Sequence, residues 1–278
     1  MNEIRINDCD ELVNNLFKDW WAPRIGRYRA PLAFRGLPDC DYKLKTTLIR
    51  LGGKYRKLEP HLLRNFQKYA GKEITKYSGQ DITSFDTIWH WMIVGQHHGL
   101  PTRLLDWTYS PLVALYFAAA DEDKLNKDGV VWIVDFIESA KFLPDDFKDI
   151  LIENDSRVFN VNLLENLSEE KGENLNFLEQ YCDMDYVVFI EPPSIDDRIV
   201  NQFALFSFMS DPEMNLDDWL NRHTDPKLWR KIIIPSELKI EIRDKLAQSN
   251  ISARTLFPGM DGICEWLKMY YSPGLEED

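Results

Sequence analysis

The stretch QHHGLPTRLLDWTYSPLVALYFAAAD, residues 96–121, constrains the fold more than any other part of the chain. A helix stops at Gly99, Pro101 turns the backbone, and TRLLDW runs extended; Ser110-Pro111 then opens a new helix, serine as N-cap and proline at the first helical position. That helix, LVALYFAAAD, is apolar on nearly every side. The runs GVVWIVDF (129–136), DYVVFIEP (185–192), RIVNQFALFSFM (198–209) and LWRKIIIP (228–235) are β-branched or aromatic and bounded by Gly, Pro, Asp and Ser, so they supply most of a sheet. Helices and strands alternate irregularly, without βαβα order, and the expected fold is a single α+β domain with a mixed or antiparallel sheet core and surrounding helices. With no repeat and no clean linker, residues 1–278 read as one domain. Residues 1–30 read as a helical lead-in, and 236–278 as a helical part packed on the sheet.

Local signals fill in the rest. Asp8 and Glu11 cap a first helix that runs to about Trp20 and Trp21. Leu32 to Phe34 form a short strand that delivers Arg35 and Gly36 to a turn. A helix beginning near Pro60 places Leu62, Leu63, Phe66 and Tyr69 on one face, and Ser84 caps another containing Ile88, Trp91, Met92 and Gln96. The polar segment 153–177 reads as one or two short helices with a mobile loop at Lys171 to Asn174. Ser236 opens an amphipathic helix, and CEWLKMYY is a last apolar stretch.

The formal charge of −13 argues against nonspecific nucleic-acid binding and against a membrane-surface role, because both need clustered Lys and Arg. Locally the balance reverses: Lys43, Lys45, Arg50, Lys54, Arg56, Lys57, Arg64, Lys68 and Lys72 face only Glu59 and Glu73 between positions 43 and 76. Such a face attracts a phosphate-bearing ligand or is simply a solvated helix surface. Cys9, Cys40, Cys182 and Cys264 form no CxxC pair, so neither a zinc module nor a disulfide framework is indicated, and a reduced cytoplasm is the expected compartment. No membrane-length apolar run and no leader is read. Neither Gly-rich phosphate loop occurs, which sets aside P-loop nucleotidases and Rossmann dehydrogenases.

The candidate chemistry centres on a few side chains. His97 and His98 are helical neighbours whose side chains point roughly 100° apart, so they do not jointly ligate a metal, and no metal is expected. One packs or caps at the helix end, and the other faces a cleft where an imidazole can hydrogen-bond a ligand. Arg103 and Asp106 lie on opposite faces of an extended segment, and each anchors a neighbouring element or reaches the cleft. GxSxG is absent, and Ser110 serves as a cap rather than a nucleophile. Arg35 sits on an apolar strand end beside Gly36, whose missing side chain allows close approach; its guanidinium grips a phosphate or carboxylate, or else forms a buried salt bridge.

FRG at 34–36, LIR at 48–50, the stretch 96–121, RIVNQFALF at 198–206 and TLFPGMDGI together resemble the FRG domain of bacteria and phage, over about Leu32 to Leu267. A more distant resemblance links AFRG and DWTYSPLVALYFA to ADP-ribosyltransferases of the arginine–serine–glutamate type. That resemblance implies an NAD-binding, ADP-ribosyltransferase-like enzyme or toxin acting on a macromolecular acceptor. Arg35 would hold the NAD phosphates, Thr108 and Tyr109 would position nicotinamide, and Gln202 or Glu191 would attend the ribose. Two departures stand out: Asp106, Trp107 and Thr108 replace a Ser-Thr-Ser triplet, and no ExE pair occurs. Two alternatives use the same cleft of Arg35, His97 or His98, Arg103, Asp106, Thr108 and Gln202. One is a nonenzymatic nucleotide- or partner-sensing module, with a role in phage defence; the other is a metal-dependent hydrolase built on the histidines and Asp106.

Overall fold

The computed structural model describes residues 2–23, 25–78, 87–171, 175, 178 and 185–272. In chain order the elements are β1 (Glu3–Arg5), α1 (Cys9–Leu16), β2 (Trp21–Ala22), β3 (Arg27–Tyr28), β4 (Leu32–Leu37), α2 (Thr47–Leu51), α3 (Tyr55–Ser78), α4 (Ile88–His97), β5 (Leu105–Thr108) and α5 (Pro111–Ala119). There follow β6 (Gly129–Asp135), α6 (Phe136–Ala140), α7 (Asp145–Glu153), β7 (Phe159–Asn160), α8 (Val161–Lys171), β8 (Val187–Glu191), α9 (Asp197–Asn201), β9 (Ala204–Met209), α10 (Leu216–Leu220), β10 (Trp229–Ile234), α11 (Lys239–Gln248), α12 (Ala253–Leu256) and α13 (Met260–Tyr271). Eight strands form one mixed sheet in the order β1-β10-β6-β4-β5-β9-β8-β7, with β1 parallel to β10, β7 parallel to β8 and the other neighbours antiparallel. The α+β class expected from the sequence is the one observed.

Strand alternation builds the core. On one face Ala33, Trp107, Trp132, Val187, Leu205 and Ile233 belong to a single apolar layer that spans the sheet. The other face divides. At the β4–β6–β10 end Phe34, Val131, Ile133 and Ile232 pack with α1, α5 and α11, while at the β8–β9 end Val188, Ile190, Phe206 and Phe208 pack with α4, α7 and α8. Between the two cores lies β5, which carries Asp106 and Thr108 at the alternate positions to the apolar Leu105 and Trp107. The polar pair therefore interrupts the apolar cover in mid-sheet.

Helix α5 fixes one wall of that interruption. The Ser110 hydroxyl caps it by accepting from the Val113 amide at 3.3 Å, and Pro111 occupies its first turn. It lies so close to the sheet that a Cβ at Gly36 would fall 1.7 Å from the Ala114 carbonyl oxygen, and one at Gly129 would fall 2.6 Å from that of Ala118. Gly36 is thus required by helix-on-sheet packing, whereas the sequence reading gave it to ligand approach.

Several boundaries differ from expectation. Arg35 and Gly36 lie inside β4, paired with Trp132 and Val131, because β6 continues the ladder past Phe34. The N-terminal segment is not only helical: Glu3–Arg5 adds an edge strand to β10, and α1 ends at Leu16 before the Trp20 region. Helix α3 starts at Tyr55, and Tyr69 on it is exposed rather than part of a buried face. Thr87 caps α4 through the His90 amide; Ser84 lies outside the described residues. Lys171 ends α8, and of the loop expected at Lys171 to Asn174 the positions 172–174 lie outside the described residues. In 198–209 only Ala204–Met209 is strand, since the Asp196 carboxylate accepts from the Ile199 amide and turns Asp197–Asn201 into a helix. The C-terminal helix α11 is preceded by a 3-10 turn at Ser236–Leu238 and packs on α5, within the apolar core that covers the β4–β6–β10 end of the sheet.

Candidate functional site

The interruption at β5 is a cleft of about 230 Å³ lined by Phe34, Arg35 and Gly36 of β4, Asp106, Trp107 and Thr108 of β5, Phe117 of α5, and Arg198 and Gln202 from α9 and its C-cap. Strands β4 and β5 pair at Phe34 and Thr108, and beyond that position their ladder ends. The Arg35 guanidinium spans the gap, donating through one terminal nitrogen to the Asp106 backbone carbonyl. The same nitrogen stands 3.6 Å from the Asp106 carboxylate, whose side chain is largely open to solvent. The Nε of Arg35 is buried without a hydrogen-bond partner.

Burial pushes the Arg35 pKa below the ordinary guanidinium value; Asp106 acts in the opposite sense and Arg50 adds to the depression. An arginine nevertheless stays charged in a protein, so Arg35 is a cation with less compensation than its burial demands. The second guanidinium, that of Arg198, lies 5.1 Å from the centre of the Phe257 ring, a cation–π contact that holds it at the wall.

The rest of the QHHGLPTRLLDW motif is scaffold around this pair. Gln96 Nε2 donates to both Asp106 carboxylate oxygens at 3.1 and 3.2 Å, and its Oε1 accepts from the Thr102 hydroxyl at 2.7 Å. Arg103 turns away from the cleft. Its Nε donates to Glu59 Oε2 at 2.7 Å and its backbone amide to Oε1 at 3.1 Å, with Glu59 fully buried and Arg103 nearly so. Of its two sequence readings the structure adopts the anchor.

The other candidate residues separate into two groups. Thr108 and Gln202 line the cleft but are engaged: the Thr108 hydroxyl donates to the Gln202 carbonyl at 2.7 Å, and Gln202 Nε2 donates to the Leu256 carbonyl at 2.9 Å. Tyr109 and Glu191, by contrast, do not line it. The Tyr109 hydroxyl donates to Glu191 Oε1 at 2.6 Å, and burial, reinforced by that carboxylate, drives its pKa far upward. The His97 Nε2 contacts the Asp196 carboxylate, which can only accept, so that nitrogen carries the proton. Burial lowers the His97 pKa, with Asp196 opposing. His98 caps α4 and packs edge-on against His97 at 5.1 Å between ring centres. Neither histidine lines the cleft, and the trio of His97, His98 and Asp106 on which a metal site would rest is not assembled.

Sequence reasoning missed Arg198, Phe117, Glu59 and Asp196. For Arg198 a signal existed: Asp196 followed by Ile199 and Val200 is a helix-cap pattern, which moves Arg198 from a strand to a helical turn facing β5. Glu59 gave no signal, because its partner lies 44 residues away.

Among known families, the model of the FRG domain matches residues 30–127, about a third of the chain. The match contains Arg35, Gly36, Gln96, Asp106 and Thr108 but not Arg198 or Gln202. No curated protein and no solved structure matches the chain. No helix among the described residues is long and apolar enough to cross a membrane.

Proposed function

We propose, starting from the match of residues 30–127 to the FRG domain, that the cleft between β4 and β5 binds the phosphate of a nucleotide, with NAD as the candidate ligand. The observation that carries this reading is Arg35. Its guanidinium is mostly buried, its Nε has no partner, and its charge is met by one backbone carbonyl and a carboxylate at 3.6 Å. A phosphate oxygen in the cleft supplies the missing compensation, and a desolvated guanidinium binds such an oxygen strongly. Arg198 lines the same cleft and can share a second charge. The cleft, at about 230 Å³, is smaller than pockets that enclose a whole drug-sized ligand, so it takes the phosphate and sugar and leaves the base at the mouth.

On this reading the module senses a nucleotide and relays its presence to a regulatory protein partner, a role that suits phage defence. A second reading, ADP-ribosyl transfer to a macromolecular acceptor, is favoured by one observation: Asp106 places a carboxylate, held by Gln96, inside the cleft beside Arg35. A carboxylate there suits an oxocarbenium-like ribose. Gln202 and Glu191, the residues first assigned that task, are committed to Leu256 and Tyr109.

The test combines equilibrium binding of NAD with release of nicotinamide from labelled NAD in the presence of cell extract. Arg35→Ala is expected to weaken NAD binding about 10- to 100-fold, the loss of one charged hydrogen-bonding group, and Arg35→Lys, which keeps the charge but loses the fork, is expected to weaken it less. Saturable binding without release supports the sensor. Release that Asp106→Asn abolishes supports the transferase. NAD binding unaffected by either Arg35 variant rejects both.

A further inference from the structure

The residue after Gln202 is the strained point of the chain nearest the cleft. Phe203 has φ of 48°, in the left-handed region, where a bulky aromatic is an outlier. It is also 61% exposed, so it gains little from burial. Glycine or asparagine would satisfy the same turn without either penalty.

The backbone around it is tied on several sides. The Tyr109 amide donates to the Phe203 carbonyl at 3.0 Å, the Thr108 hydroxyl to the Gln202 carbonyl at 2.7 Å, and the Phe203 amide to the Val200 carbonyl at 3.1 Å. Asn201 Nδ2 and Gln202 Nε2 donate to the carbonyls of Thr255 and Leu256, each at 2.9 Å. These ties join the turn to the β5 corner on one side and to α12 on the other. The backbone that carries this exposed ring is thereby held directly after Gln202, which lines the cleft. Strain that the surroundings enforce, at an exposed aromatic next to a ligand cavity, points to a task for the ring.

We infer that Phe203 is a stacking platform for the base of the nucleotide whose phosphate the cleft holds. This rests on the phosphate-binding reading of the cleft and extends it to the other end of the ligand. The cavity is too small for a whole nucleotide, so the base must lie outside it, and the residue that carries the exposed ring directly follows Gln202 of the cleft wall. An aromatic face accepts any base, because each presents a π surface, so selectivity among bases is weak.

The experiment titrates the full chain and its variants with two probes, ADP and inorganic pyrophosphate, by calorimetry. Phe203→Asn suits the left-handed backbone and removes the ring. It is expected to raise the melting temperature by a few degrees, to weaken ADP about tenfold or more, and to leave pyrophosphate within twofold. Arg35→Lys is expected to weaken both probes. Equal affinity of wild type and Phe203→Asn for ADP, with the fold intact, overturns the stacking role while leaving the phosphate site standing. Failure of the wild type to bind either probe overturns the phosphate site and the stacking role together.

Discussion

Glu59→Ala is expected to destabilise the protein by about 3–5 kcal/mol, because it leaves the Arg103 guanidinium buried and unpaired. The geometry leaves no escape: Arg103 is 3% exposed, its Nε and one terminal nitrogen both meet Glu59, and its other terminal nitrogen already lacks a partner. Glu59 also accepts from the Arg103 backbone amide, so its loss frees the chain just where it enters β5. For a chain of this size the expected drop in melting temperature is roughly 10 °C, read by calorimetry. The double replacement Glu59→Met with Arg103→Met removes both charges, and it is expected to recover the part of the loss due to the unpaired guanidinium but not the part due to the backbone amide at position 103. A single variant within about 1 kcal/mol of wild type would mean that water reaches Arg103 and that the pair is not the anchor of this segment.

Gly36→Ala is the second large effect. The added methyl would sit 1.7 Å from the Ala114 carbonyl oxygen and 2.8 Å from the Ala118 amide nitrogen, both backbone atoms of α5. Neither can rotate away, so the helix must lift from the sheet, at a cost of about 3 kcal/mol or more, the upper end for an overpacked core. Lifting α5 also moves Phe117, so the cleft wall shifts and ligand affinity falls along with stability. Gly71→Ala provides the contrast. A Cβ there meets nothing within 4 Å, and in the interior of α3 alanine is the better helix former by about 1 kcal/mol, so stability rises. Equal melting temperatures for Gly36→Ala and wild type would show that α5 stands off the sheet.

Much of the fold was legible because its signals are local. Ser110-Pro111 sets the start of α5 within one turn, and the β-branched runs at 129–136, 185–192 and 228–235 contain β6, β8 and β10. The run 198–209 misled because Ile199, Val200 and Phe203 continue its apolar character, while the Asp196 cap decides for a helical turn and the strand waits until Ala204. In the candidate site, Arg35, Asp106, Thr108 and Gln202 were named from the sequence, and the structure brings them to one cavity. Their meeting depends on β4 and β9 flanking β5, an order set by tertiary packing that no local pattern carries. Arg103 and Glu191 were named as candidate site residues and sit elsewhere, each held by a hydrogen-bond partner distant in sequence. A charged residue on a strand declares that it needs a partner, but not which one.

The most direct measurement is the dissociation constant of inorganic pyrophosphate for the wild-type chain and for Arg35→Ala, each first shown to be folded by its thermal transition. Saturable binding to the wild type, weakened about tenfold or more in Arg35→Ala and falling with added salt, is the result expected of a buried, under-compensated guanidinium at an anion site. Equal binding by the two proteins, or none by the wild type, would contradict the phosphate site and leave Arg35 as a strut between β4 and β5.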